Sequence, residues 1–217
     1  MKTKNEKSTT RERLFAEATR LFREKGYSAT SMADIASAVG IQKASIYYYV
    51  KSKQELLVEV ARKCMNMLLE EAERIAYSNL NPTDKLKAII RGHIRLIVEY
   101  LDIFTVSLRD INPLNMGPHW PEAVALRDHY ESIIRGIIRA GIKTGEFKNI
   151  DEKLAGFALL GMVNWLIRWV KPNGEKSADE IASVMTEIFL SGLRAGSSGE
   201  SEKCKQSSFK LHRKDIS

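Results

Sequence analysis

An all-α fold is what this sequence predicts, and three observations predict it. Apolar residues recur at helical spacing through most of the chain. No run alternates apolar and polar residues between turns, as a half-buried strand would. Capping residues, glycines and prolines then divide the periodic stretches at regular intervals. At 217 residues with 44% hydrophobic content, the chain is long enough for one ordinary domain with a small appendage, or two small ones.

The first helix is predicted over 10–25, with Leu14, Ala18, Leu21 and Phe22 on one face and Gly26 as its stop. A second covers about 31–39, where Ser31 and Asp34 form a capping box and Gly40 ends it. A third spans 43–50. A long helix over 53–76 carries Val58, Leu68, Leu69 and Ile75 as its apolar stripe. After the turn at 79–82, Thr83 is the expected cap of a helix to Tyr100, burying Leu86, Ile89, Ile90, Ile94, Ile97 and Val98. A short helix over 101–109 precedes a break at 112–121, where three prolines and Gly117 cluster. The remaining helices are expected over 121–144, 151–170 and 177–193, the last opened by a Ser177/Glu180 capping box.

Domain boundaries follow from these elements: a flexible basic arm over 1–9, a three-helix head over 10–53, a body over 54–195, and a disordered tail over 196–217. Charge divides the same way. Residues 1–53 hold 11 Lys and Arg against 5 Asp and Glu, a net of +6. Residues 54–195 carry 18 against 19, and the tail 5 against 3, which accounts for the overall +7. A cation concentrated in the first quarter suggests a polyanionic partner, nucleic acid or an anionic surface, with a plain solvated arm as the alternative.

Several classes are excluded by what the sequence contains. Two cysteines, Cys64 and Cys204, build neither a disulfide framework nor a four-ligand zinc site. The four histidines (His93, His119, His129, His212) have no metal-ligand spacing, so no metal site is expected. No phosphate-cradling glycine loop and no nucleophile motif occurs, so no cofactor and no catalytic residues are expected. The N-terminus lacks an apolar signal region, and the apolar stretch 156–167 is too short to span a bilayer. A soluble cytoplasmic protein without a membrane partner is the expectation.

Within the head, the helix, the tight turn at Gly40-Ile41 and the next helix share a small core of Ile35, Ala36, Val39, Ile41 and Ile46. This is a helix-turn-helix layout, whose second helix enters the DNA major groove. Its exposed face would present Gln42, Lys43, Ser45, Tyr47 and Tyr48. Gln pairs with adenine, Lys donates to guanine, and tyrosine hydroxyls suit phosphates. Lys53 at one helix start, and Thr30 with Ser31 at another, would grip phosphates with the free backbone N–H groups there. The alternative is that Tyr47-Tyr48-Tyr49 is a packing cluster, with Tyr49 the best core candidate.

The ordered pattern G-Y-x-x-T-S (26–31), D-I-A (34–36), V-G-I (39–41), S-I-Y-Y-Y-V (45–50) and K-x-E-L-L (53–57) resembles the tetracycline-repressor (TetR) family of bacterial transcription regulators. Val50 stands where the family often has Phe, and Tyr49 where His is frequent. The resemblance covers about 10–57. It implies a helical ligand-binding and dimerisation body, a homodimer, and a palindromic double-stranded operator. By the same resemblance the last two helices form the dimer interface, where Gly161, Met185, Ile188 and Phe189 are the candidates; the alternative is that these helices bury within one subunit.

The body's stretch 159–170, with Leu108-Arg109-Asp110 and Arg127-Asp128-x-Tyr130-Glu131, resembles a branch of that family that senses acyl-CoA thioesters. Asn164 and Arg168, four apart, share a helix face beside Trp165. An arginine on so apolar a helix needs a carboxylate or an anionic ligand. Arg91, Arg95, Arg109, Arg135 and Arg168 are candidates for the CoA phosphates, with Asn164 and Trp165 beside them. The expected protein is a repressor released from its operator by an acyl-CoA. The alternatives are a drug-sensing repressor of an efflux pump, an acyl-CoA-processing enzyme, and a basic surface-binding protein.

Overall fold

The computed structural model describes residues 4–171 and 174–194, with side chains from residue 9 onward. The expected tail over 196–217 lies outside the described residues. Among the described residues ten α-helices carry the fold: α1 (Lys4–Lys25), α2 (Met32–Val39), α3 (Lys43–Ile46), α4 (Lys53–Ala76), α5 (Pro82–Glu99), α6 (Leu101–Asp110), α7 (Pro113–Met116), α8 (Trp120–Lys143), α9 (Glu152–Asn164) and α10 (Ala178–Leu193). Short 3-10 turns at Gly117–His119 and Trp165–Arg168 join or extend them. The described residues contain no strand, only an isolated bridge between Phe147 and Arg194.

Local chemistry sets the boundaries. The Ser31 hydroxyl accepts from the Asp34 N–H at 3.1 Å, and the Asp34 carboxylate accepts from the Ser31 N–H at 2.8 Å. The Ser31 N–H and the Ser31 hydroxyl, the latter at 2.7 Å, both donate to the Asp34 carboxylate and hold it below the usual carboxylate range. Gly40 closes α2 in the left-handed region at φ 76°, where a side chain would be strained. Ser177 and Glu180 repeat the capping box on α10.

Four boundaries differ from expectation. The first helix begins at Lys4, so it extends into the stretch expected as an arm. The cap of α5 is Asn81 rather than Thr83, because Pro82 occupies the first helical turn and the Asn81 side chain accepts from the Asp84 N–H at 2.8 Å. Thr83 instead donates to Glu146, through its N–H at 3.0 Å and its hydroxyl at 2.6 Å. α3 ends at Ile46 in a turn, and α9 tightens to 3-10 geometry at Trp165.

Two cores result. Leu14, Ala18, Leu21 and Phe22 of α1 meet Ile35, Ala36, Val39 and Ile46 in the head. In the body, α4 runs through the centre and packs on α5, α6 and α8, while α10 lies along α5. Full burial of each Leu, Ile or Phe here is worth about 1.5–3 kcal/mol. The predicted stripes and head core are buried, except that Val98 and Ile41 are half-buried.

Candidate functional site

Two surfaces and one cavity hold the chemistry. The first surface is the helix-turn-helix. Gln42, Lys43, Ser45, Tyr47 and Tyr48 are all exposed on or beside α3, as the sequence predicts for a groove-reading face. Tyr47 is 52% exposed and Tyr48 65%, while Tyr49 is half-buried and meets Tyr48 edge-on at 5.2 Å.

Contrary to the sequence prediction, Thr30 and Lys53 do not face the groove side. Thr30 is buried, and its hydroxyl donates to the Gly26 carbonyl at 2.8 Å, so it faces inward. The Lys53 ammonium donates to the carbonyls of Tyr27 (2.8 Å), Ser28 (3.2 Å) and Thr30 (2.9 Å) and sits 4.4 Å from the centre of the Tyr27 ring. An ammonium has three N–H donors. All three are used holding the α1–α2 loop against α4, so Lys53 positions the head rather than gripping phosphate. Ser31 is exposed but engaged in its capping box.

The cavity lies in the body, about 590 Å³, between α4, α5, α6, α8 and α9. Leu68, Phe104, Leu108, Ile111, Trp120, Val124, Phe157 and Leu160 make most of its wall. Its polar groups are Cys64, His93, Ser107, Arg127, Tyr130, Glu131 and Asn164. Burial pushes the Cys64 thiol up to about 11, which keeps it protonated and a poor nucleophile. Glu131 lies 3.4 Å from the Arg135 Nε, so its charge is already partnered.

Of the arginines proposed for the ligand, the structure brings none of Arg91, Arg95, Arg109 and Arg168 to this wall. Arg95 forms a two-point pair with Asp179 (3.1 and 3.0 Å), and Arg91 lies 3.7 Å from the same carboxylate, tying α5 to α10. Arg109 turns toward α1, donating to the carbonyls of Phe22 and Arg23. Arg168 is exposed, with its guanidinium 5.6 Å from the Trp165 ring centre. Trp165 is itself 62% exposed. Helical spacing gave the right neighbours for these residues but the wrong face, because α9 tightens into 3-10 geometry just there. Asn164 does line the cavity, and the arginine at its edge is Arg127, half of the Arg127-Asp128 pair noted in the sequence.

The second surface is a set of exposed apolar side chains on α9 and, separately, on α10. Leu154, Phe157, Trp165 and Trp169 of the α9 region and Val184 and Ile188 of α10 are exposed large apolar side chains. Gly161 is exposed among them, and Met185 and Phe189 are half-buried. The spacing Leu154, Phe157, Gly161 and Val184, Ile188 is the periodic signal that extends the face beyond the four predicted residues.

Residues 14–60 match the family described as bacterial regulatory proteins, tetR family, and residues 79–193 match the tetracyclin repressor-like C-terminal domain. The chain belongs to the TetR family. It is a helix-turn-helix transcriptional regulator of that type. Among its relatives is the HTH-type transcriptional repressor KstR2 of Rhodococcus jostii, 29% identical over 86% of this chain and 92% of that one. The crystal structure of the TetR regulator PfmR from Thermus thermophilus is 35% identical, with a TM-score of 0.74 over 84% of this chain and 99% of that one. AibR, solved with isovaleryl coenzyme A and operator DNA, shares the fold at 24% identity and a TM-score of 0.74, over 83% of this chain and 98% of AibR. No helix among the described residues is long and apolar enough to cross a membrane.

Proposed function

We propose that this TetR regulator is a homodimeric repressor released from a palindromic operator by an acyl-CoA thioester. The observation that carries this reading is the body cavity: about 590 Å³, walled mainly by Leu, Ile, Phe and Trp, with Arg127 at its rim. An acyl chain and part of its pantetheine arm suit such a volume. The nucleotide and its phosphates would remain outside, within reach of a guanidinium. That AibR was solved with isovaleryl coenzyme A supports the ligand class in a protein of the same fold.

In this reading Gln42, Lys43, Ser45, Tyr47 and Tyr48 contact the operator. The α9–α10 face, with Gly161, Met185, Ile188 and Phe189, joins the two subunits. Two heads then meet half-sites about 34–36 Å apart or a multiple of that. A ligand that prefers another head spacing shifts the population off DNA. DNA as the partner makes the cytoplasm the site of action.

The efflux-pump reading is weaker because the one carboxylate in the cavity wall, Glu131, is partnered by Arg135. A cationic drug would find its charge already neutralised. The test is operator binding by fluorescence anisotropy, using DNA flanking the protein's own gene. Saturating acyl-CoAs of graded length are expected to raise the operator Kd at least tenfold. Binding unchanged by every acyl-CoA but weakened by cationic dyes would replace this reading with the drug-sensing one.

A further inference from the structure

The cavity's rim mixes apolar side chains with Arg127, but its inner end is polar, which a plain alkyl tail does not require. At the rim, Leu108 is 43% and Phe157 46% exposed, while His93 and Tyr130 inside are 3% and 4%. The Tyr130 hydroxyl and His93 Nδ1 are hydrogen-bonded at 3.1 Å, with the ring of Phe104 packed 5.9 Å from the imidazole. Cys64 and Ser107 line the same cavity beside them.

Counting hydrogens gives the chemistry. A neutral imidazole has one N–H and a phenol one O–H. Their mutual bond uses one of the two. Whichever tautomer forms, the pair keeps one hydrogen to donate, from His93 Nε2 or from the Tyr130 hydroxyl. Burial holds the imidazole neutral, with its pKa lowered to about 3, and pushes the phenol up. The inner end therefore offers hydrogen-bond donation without a cation, which suits a neutral oxygen and not a carboxylate.

We propose that the His93–Tyr130 pair is a ligand subsite that reads an uncharged oxygen, a carbonyl or hydroxyl, on the inner end of the effector. The oxygen is either the thioester carbonyl itself or a ketone or hydroxyl on a longer acyl group whose CoA end stays near Arg127. This deepens the ligand reading above and rests on it only for the CoA end.

The test is calorimetric titration of the full chain with four probes: a saturated acyl-CoA, the same acyl-CoA bearing a terminal oxo or hydroxyl group, the oxygenated acid without CoA, and its neutral methyl ester. Tyr130→Phe is titrated in parallel, with its fold checked by circular dichroism. Wild type is expected to bind an oxygenated CoA about tenfold tighter than the plain one, and the variant to lose that preference. A tenfold loss in Tyr130→Phe for plain and oxygenated CoA alike assigns the thioester carbonyl as the oxygen read. Discrimination that survives both in Tyr130→Phe and in His93→Phe, which removes the other donor, overturns the subsite, as does equal binding of both CoA probes by wild type and both variants. Preference for the methyl ester over the free acid, with no CoA probe binding, keeps the subsite and overturns the thioester reading. If Tyr130→Phe does not fold, the wild-type series decides: preference for the oxygenated CoA, or for the methyl ester over the free acid, supports the subsite, and absence of both preferences overturns it.

Discussion

Arg109 of α6 caps the end of α1, its guanidinium donating to the carbonyl oxygens of Phe22 and of Arg23, the latter at 3.0 Å. The Phe22 carbonyl also accepts from the Gly26 N–H at 2.8 Å, and the last carbonyls of a helix carry its negative dipole end, so a cation there is favoured. Asp102, in the first turn of the same α6, pairs with Arg23 at 2.5 Å. Both ends of α6 are thus fastened to the last turn of α1. Between them, Phe104, Ser107 and Leu108 line the cavity. Arg109→Gln is expected to retain ligand affinity within about twofold and to cut the ligand-induced loss of operator binding severalfold. Ligand titration followed by operator anisotropy checks this, and a full ligand response in the variant would sink it.

Lys53 and Lys43 are expected to fail in different ways. Lys53→Met leaves three loop carbonyls without their charged donor, and is expected to cost about 1–3 kcal/mol of stability. Its DNA binding then falls because the head loosens. Lys43→Ala is expected to unfold like wild type while lowering the slope of log affinity against log salt by about one if it contacts a phosphate. Thermal unfolding and salt-dependent anisotropy separate the two.

Ile188 stands 64% exposed on α10, four positions after the exposed Val184. Ile188→Glu places a charge at the centre of the proposed subunit face, where burial without a partner is costly. Sedimentation is expected to show a monomer with helix content unchanged, and operator affinity reduced at least tenfold. A dimer that persists at micromolar concentration contradicts the assigned face.

His93 predicts a pH dependence whose sign is fixed by burial. Its folded pKa lies near 3, below the ordinary value of 6.5. Below pH 6.5 the unfolded chain binds a proton that the folded chain refuses, so stability falls as pH drops and levels off near 3. The loss is about 1.4 kcal/mol per pH unit inside that window. Between pH 7 and pH 5, wild type is expected to lose about 2 kcal/mol more than His93→Asn in urea unfolding. Equal losses would show that His93 protonates freely in the folded state.

The head was legible almost residue by residue because its signals are local. Ser31 with Asp34, Gly40, and the small core around Ile35 and Ile46 depend on neighbours within a turn or two. Long-range partners were not legible. Nothing near Lys53 in sequence announces three carbonyls from the loop at 27–30. Arg109 reaches a helix end 86 residues away, and Arg91 and Arg95 meet a carboxylate on α10 rather than the cavity. Arginines mark anion sites and helix ends equally well, and periodicity fixes a helix face without saying what faces it. Tyr130 stood out in the sequence only as part of the Arg127–Glu131 stretch, and nothing there joins it to His93, which folding sets 3.1 Å away.

The guanidinium ties across α1 bear on how portable the head is. Arg11 pairs with Glu59 of α4 at 2.9 and 2.7 Å, Arg23 with Asp102, and Arg109 with the end of α1. A chimera spliced at the start of α4 would inherit the reading helices but strand each of these cations or its partner. Grafting this operator specificity onto another sensor therefore means carrying Glu59, Asp102 and Arg109 along with the first three helices.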